Sequence, residues 1–430
     1  MSAPTAGQTT ATAGTGTARN IALYRWLRFF QNLLFWQAIW FLYFQQALSA
    51  SEAILLYAIY DIGTTALEVP SGYLSDRIGR RLTLVASGAA GLAGGLLLAL
   101  GESFAAFAVA QVLLGASAAF ASGTDSAMLY ESLAAEGREG EVEQAEVVAW
   151  RWGFAALALS AFSGGLMAVW QSTLPFYAGA AAFAGMLVVA LRLSEPPHTE
   201  AAPEEGGELA RLSRLGGAFR EPVLLWLFML SLLMYGFSHI PFVFGQPFIE
   251  TALEGAGFAA EAPAVSGAVT TAMMMLSLLA SFGASQLRRR IELGAILLLA
   301  FGMQIALAGT LALTNDAIAI ALLFLRMVPD ALSRPFILAR IQPMLASESR
   351  ATYLSLQSFG GRLLFAGSLF LASMASSGEG EMRYAEIQGV LAAYTVVGLA
   401  ALLVLMLTAR RLRLEPDDAA SSVPVGGRAG

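Results

Sequence analysis

Long apolar runs separated by short polar breaks occupy most of this 430-residue chain. A helix that crosses a bilayer needs about 20 mostly apolar residues. Twelve windows qualify: 24–46, 52–74, 82–101, 104–128, 147–169, 172–192, 223–246, 264–286, 292–313, 316–340, 353–376 and 385–408. The first 19 residues, rich in Thr, Ala and Gly, read as a disordered tail. The run that follows is too long for a signal-peptide core and contains Arg25 and Arg28, so it reads as a retained helix. The longest polar interruption, Leu193 to Pro222, falls midway, with six windows on each side. Within it "LARLSRLGGAF" has the pattern of a short amphipathic helix lying on a membrane surface. The predicted fold is an all-α polytopic membrane protein with twelve transmembrane helices in two six-helix bundles. Its expected parts are a tail at 1–20, a bundle at 21–193, a linker at 194–221, a bundle at 222–410 and a tail at 411–430.

Composition strengthens the membrane reading. Hydrophobic residues make up 57% of the chain and charged ones 13%, against roughly 45–50% and about 25% in soluble domains. A net charge of −6 gives no basis for nucleic-acid binding. There is no Cys, which excludes disulfides, thiol catalysis and Cys-ligated metals. The only histidines are His198 and His239, too few for a His-rich metal site, and no metal or other cofactor is expected. All 25 basic residues are Arg, and their placement is informative. Connections after even-numbered windows carry Arg77, Arg80, Arg81, Arg138, Arg211, Arg214, Arg220, Arg288, Arg289, Arg290 and Arg350; those after odd-numbered windows carry only Arg383. The positive-inside rule then puts both termini in the cytoplasm.

One connection is denser than the rest. "SGYLSDRIGRR", Ser71 to Arg81, packs Gly72, Asp76, Arg77, Gly79, Arg80 and Arg81 between the second and third windows. This stretch resembles the signature loop of the major facilitator superfamily in composition and in placement. "SGTDSAMLYESL" and "SRATYLSLQSFGGRL" add similarity to a bacterial subgroup, and the resemblance runs from Tyr24 to Arg411. It implies a transporter in the bacterial cytoplasmic membrane, in which this cluster latches the two bundles in the outward-open state. Arg80 and Arg81 have Asp125 and Glu131 available as partners at the inner end of the fourth window; anchoring of topology is the plain alternative. The matching place in the second half, "GASQLRRRIEL", keeps the Gly and the basic run but lacks the Asp.

Ionisable groups within the spans are the other candidates, because their burial in lipid is costly. Asp61 lies about halfway along the second window, with Glu68 seven residues on and on the same helical face. Proton coupling, a structural hydrogen bond and cargo contact are all open to Asp61, while Glu68 belongs with the loop. In the tenth window Arg326, Asp330 and Arg334 follow at four-residue steps beside Pro329 and Pro335, a pattern for a kinked, cavity-lining helix. Arg326 is the leading candidate for cargo or coupling, against an intrahelical Arg326–Asp330 pair, and Arg362 is a further deep cation. Gln31, Trp36 and Gln37 in the first window, Gln111 in the fourth, Tyr235 and His239 in the seventh and Met274 in the eighth complete an expected lining for a mid-sized organic solute.

Two departures from the family pattern bear on function. Gln111 stands where many proton-coupled members have Arg, and Ala161 where drug exporters have Pro. The sequence has no Lys and no nucleotide-binding Gly-x4-Gly-Lys motif, and an intramembrane enzyme lacks the residues it would need. The expected function is alternating-access secondary transport of a small organic solute by a monomer, coupled to protons, with export favoured over import. A non-transporting sensor or assembly factor on the same fold, or a proton-coupled importer of an organic anion, are the alternatives.

Overall fold

Helix boundaries follow local chemistry. Ser49 opens the second apolar window with a capping box: its hydroxyl accepts the Glu52 N–H, and the Glu52 carboxylate accepts the Ser49 N–H at 3.0 Å. Ser103 caps a later helix through the Ala106 N–H. The computed structural model describes residues 8–197, 219–345, 347–376 and 382–415, and among them it has fourteen α-helices and no strand. The first half contains α1 (Gln8–Gln31), α2 (Trp40–Gln45), α3 (Ala50–Ile78), α4 (Arg80–Leu100), α5 (Phe104–Ala121), α6 (Thr124–Ala135), α7 (Val142–Trp170) and α8 (Leu174–Arg192). The second contains α9 (Pro222–Glu254), α10 (Ala262–Arg288), α11 (Leu293–Leu313), α12 (Val328–Ile341), α13 (Ser347–Ala375) and α14 (Tyr384–Ala409). A 3-10 segment, Ala317–Leu325, precedes α12.

Nine helical stretches among the described residues are long and apolar enough to cross a bilayer. The other three windows are occupied differently. Helix α3 is continuous but carries Glu52, Asp61 and Glu68, which dilute its apolar character. The first window is split into α1 and α2, and the tenth into the 3-10 segment and α12. Side chains cause the first split: the Asn32 amide donates to Arg28 O at 2.7 Å, and the Trp36 ring stacks with Phe176 and Phe183 of α8. In the tenth window Pro329, which has no N–H, sits in the first turn of α12.

The expected tails need correction. Helix α1 begins at Gln8, and the buried Asn20 exchanges hydrogen bonds of 2.8 Å with the Ser194 backbone N–H and C=O. Thr17 also bonds Glu136, so residues 17–20 are docked on the first half. After α14, Glu415 pairs with Arg288 and accepts the Leu293 N–H, which ties residues up to 415 to the second half. Residues 209–218 of the amphipathic segment expected within the linker, together with His198, lie outside the described residues.

The halves meet mainly along two helix pairs, α3 against α13 and α7 against α10. In the second pair the backbones nearly touch: a Cβ on Gly165 would stand 2.5 Å from Pro263 O, and one on Gly267 2.5 Å from Ala161 O. Small residues permit this approach, as membrane helix interfaces require. The α3–α4 turn at Gly79 marks one end of the molecule, the arginine end. The start of α3 and the end of α7 mark the far end.

Candidate functional site: a central cavity and an arginine end

A cavity of about 810 Å³ lies between the halves, within the usual range for small-molecule sites. Helices α1, α3 and α5 bring Gln31, Asn32, Tyr60, Asp61 and Ser117 to it, and the split in the first span adds Trp36, Gln37 and Trp40. From the second half come Tyr235, Ser238, His239, Phe242, Arg326, Asp330, Arg334, Gln357 and Arg362. Asp61, Tyr235 and Arg362 act on one another electrostatically across the seam, and Glu68 also acts on Arg362. Asp330 accepts the Ser238 hydroxyl at 2.7 Å and the Gln304 amide at 3.4 Å. Arg326 forms no ion pair with it; its Nε donates to Ser238 O at 3.2 Å and its guanidinium lies 5.0 Å over the Phe242 ring. The four-residue step that favours an intrahelical pair therefore loses to hydrogen bonds from a neighbouring helix.

The far end of this cavity is sealed between the halves. The Gln246 amide of α9 accepts the Phe41 N–H at 2.8 Å and donates to Gln37 O at 3.0 Å. Ser51 and Ser373 exchange hydrogen bonds at the ends of α3 and α13. Ser266 bonds Ala38 O, and Thr271 bonds Ala158 O. These hydrogen bonds between the halves all lie in the far half. Among the described residues none crosses at the arginine end.

That end is organised around Gly79, whose φ of +99° only glycine adopts easily. The turn is one residue long, because α3 continues through Asp76 to Ile78. Arg80 bridges Asp76 at 2.6 Å and Glu131 at 3.0 Å, and also donates to the Ser75 hydroxyl. Its backbone N–H and that of Arg81 donate to the Glu195 carboxylate at 2.6 and 2.9 Å, so the residue after α8 caps α4. Arg81 donates to Leu191 O, and Arg77 stacks on Tyr73. Asp125 pairs with Arg28 of α1 at 2.5 Å, not with Arg80 or Arg81. Gly72 makes neither a turn nor a close approach; it lies exposed within α3 with open space beside it. All these pairs stay inside the first half. The side chains of residues 347–352, including Arg350, lie outside the described set.

Seven of the nine residues expected in the lining are there: Gln31, Trp36, Gln37, Tyr235, His239, Arg326 and Arg362. Gln111 is fully buried elsewhere, one turn nearer the far end than Leu114, which does line the cavity. Met274 shares a helical stripe with Gly267 and Thr271, which face α7, and so packs on the seam. Of the carboxylates, Asp61 and Asp330 reach the cavity and Glu68 does not. Sequence reasoning missed Tyr57 and Tyr60, although Tyr57 precedes Asp61 by one helical turn. It missed the Arg28–Asp125 pair, for which one-dimensional spacing carries no signal. It also missed Glu195 and Glu415, and here a signal existed: "LRLSEP" after the sixth window recurs as "LRLEP" after the twelfth.

A search of curated proteins finds no match to the sequence. Solved structures do share the fold. The nucleoside transporter NupG aligns with a TM-score of 0.72 at 15% identity, covering 90% of this chain and 99% of its own. A D-xylose-proton symporter aligns at 0.66 and 16% identity, over 90% and 96%. A peptide transporter, POT, in complex with sulfate aligns at 0.67 and 16%, over 92% and 94%. Residues 21–368 match the model of the Major Facilitator Superfamily, and the chain, an all-helical fold around a central cavity, belongs to that family of membrane transporters.

Proposed function

We propose that this protein is a proton-coupled secondary transporter that moves a small organic solute across the bacterial cytoplasmic membrane by alternating access, acting as an exporter. The observation that carries the reading is the one-sided closure of the cavity. Far-end hydrogen bonds join the halves, while no described hydrogen bond joins them at the arginine end. With the Arg-rich connections in the cytoplasm, the cavity faces inward, the state in which an exporter loads its cargo and an importer releases it. Asp61 is the coupling group: it is buried in mid-span, lines the cavity, and faces Arg362 of the opposite half. Proton uptake there changes the charge balance across the seam on which the two halves rock. The D-xylose-proton symporter offers a precedent for such coupling on this fold. Asp330, held by Ser238 and Gln304, is the second candidate. The Arg80 cluster is the latch that engages the second half when the cavity faces outward.

Proteoliposomes with an imposed pH gradient test the assignment. Solute flux in the wild type follows the gradient, and Asp61→Asn uncouples it by about 100-fold or more, within the range for loss of a proton-transfer group. Flux in Asp61→Asn that still tracks the gradient moves the coupling to Asp330 or removes it from the protein.

A further inference from the structure

The unpartnered polar atoms of the cavity are unequal in kind. Trp40 Nε1, Gln357 Nε2 and Arg362 Nε are buried without a hydrogen-bond partner, and each can only donate. The Tyr57 hydroxyl is buried and free as well. Against them stands one free acceptor, Gln37 Oε1. Open buried donors are costly, and this imbalance in the cavity walls favours a solute that carries acceptors. The charge points the same way. Arg326, Arg334 and Arg362 face the cavity without an ion pair among the described residues, while one of the two carboxylates, Asp330, is already occupied by Ser238 and Gln304. Shape adds the third element. Trp40 packs against Tyr57 and Tyr60 with ring centroids 5.1 and 5.5 Å apart, and Tyr57 meets Phe242 of the other half at 5.7 Å. Flat apolar surface and guanidinium groups therefore lie side by side.

We infer that the cargo is an aromatic organic anion, its carboxylate held by Arg326 and Arg362 and its ring packed against Trp40, Tyr57 and Phe242. The inference rests on the transporter reading of the cavity and names the class of solute. Arg presents paired donors in a plane and matches a carboxylate bidentately. Arg326 stands at the break between the 3-10 segment and α12 and Arg362 on α13, and the ring platform comes mostly from the first half. An anion of this kind bridges both halves at once, as a cargo that governs their rocking must.

The test uses the full chain in lipid nanodiscs, titrated calorimetrically with 2-naphthoate, 2-naphthamide, 2-naphthylmethylammonium and cyclohexanecarboxylate. Naphthoate is expected to bind about tenfold or more tighter than each of the other three, from the charged hydrogen bonds and from ring stacking. Arg362→Gln loses about tenfold in naphthoate affinity and Arg362→Lys recovers part of it, with the melting temperature of each variant showing that the fold is intact. Equal or tighter binding of the amide or the ammonium overturns the inference, as does absence of naphthoate binding or indifference to Arg362→Gln. The transport reading fails separately. Naphthoate that binds but crosses no proteoliposome membrane refutes transport and keeps the anion site, whereas carrier-mediated flux of the ammonium alone refutes the anion and keeps transport.

Discussion

Both halves of the molecule cap their third span with a glutamate that follows their sixth. In the first half Glu195 accepts the N–H groups of Arg80 and Arg81 at the start of α4; in the second Glu415 accepts that of Leu293 at the start of α11. In each half an arginine also braces the backbone near the end of the last span, though from a different helix: Arg81 of α4 donates to Leu191 O, and Arg340 of α12 to Leu414 O. The repeated cap is a scaffold element, and a helix N-terminus suits a carboxylate through its free N–H groups and its dipole. What differs is the machinery added to it. The first half holds a buried pair, Arg28–Asp125, and the Arg80–Asp76–Glu131 cluster. Among the described residues the second has the Arg288–Glu415 pair, with the Glu415 side chain 44% exposed. Among the described residues the stabilising contact thus occurs in both halves and the ion-pair cluster in one.

This contrast can be broken at graded cost. Arg28→Gln should have the largest effect, because Asp125 is 4% exposed and would be left as an uncompensated buried charge; a loss of about 3–5 kcal/mol is expected, measured as a denaturation midpoint in detergent. Arg80→Gln should cost about 1–3 kcal/mol, since Glu131 and Asp76 lose their cation while Asp76 remains solvated. Its second-half counterpart, Arg288→Gln, should cost less than about 1 kcal/mol, as exposed pairs do. Equal losses at positions 80 and 288 would abolish the claimed asymmetry.

The smallest effect concerns pH. Burial opposes ionisation of Glu415, but the hydrogen bonds from Leu293 and Arg288 and the charge of Arg340 outweigh it and hold the carboxyl below its ordinary value. A carboxylate whose folded value is lowered stabilises the fold above its unfolded pKa, about 4.3, and that contribution fades as pH falls through the folded value. Glu415→Gln should therefore lower the melting temperature slightly near neutrality and flatten its decline in acid. An unchanged acid profile would show that the cap works without charge.

Much of this architecture was legible in one dimension. Twelve apolar windows and the Arg bias report directly on the solvent around each segment, because a bilayer charges the same cost to any chain that crosses it. The arginine-end loop was also legible, since Gly79 and the neighbouring charges are adjacent in sequence. Its pairing was not: Asp125 and Glu131 were equivalent candidates by position, and the packing of α1 beside α6 handed Asp125 to Arg28. Gln111 and Met274 have the right chemistry and the wrong place, one too near the far end and one turned to the seam.

The sequence by itself determined the fold class and the polar residues eligible for the interior. Those follow from local composition and from 3.6-residue periodicity, which need no knowledge of neighbours. Only the tertiary structure decided where the first and tenth spans break, which end is sealed, and that Arg326 and Arg362 face the cavity with no ion pair among the described residues. Each of those depends on contacts between residues far apart in the chain, such as Trp36 on α8 or Ser238 against Asp330, and no local pattern encodes which distant partner arrives first.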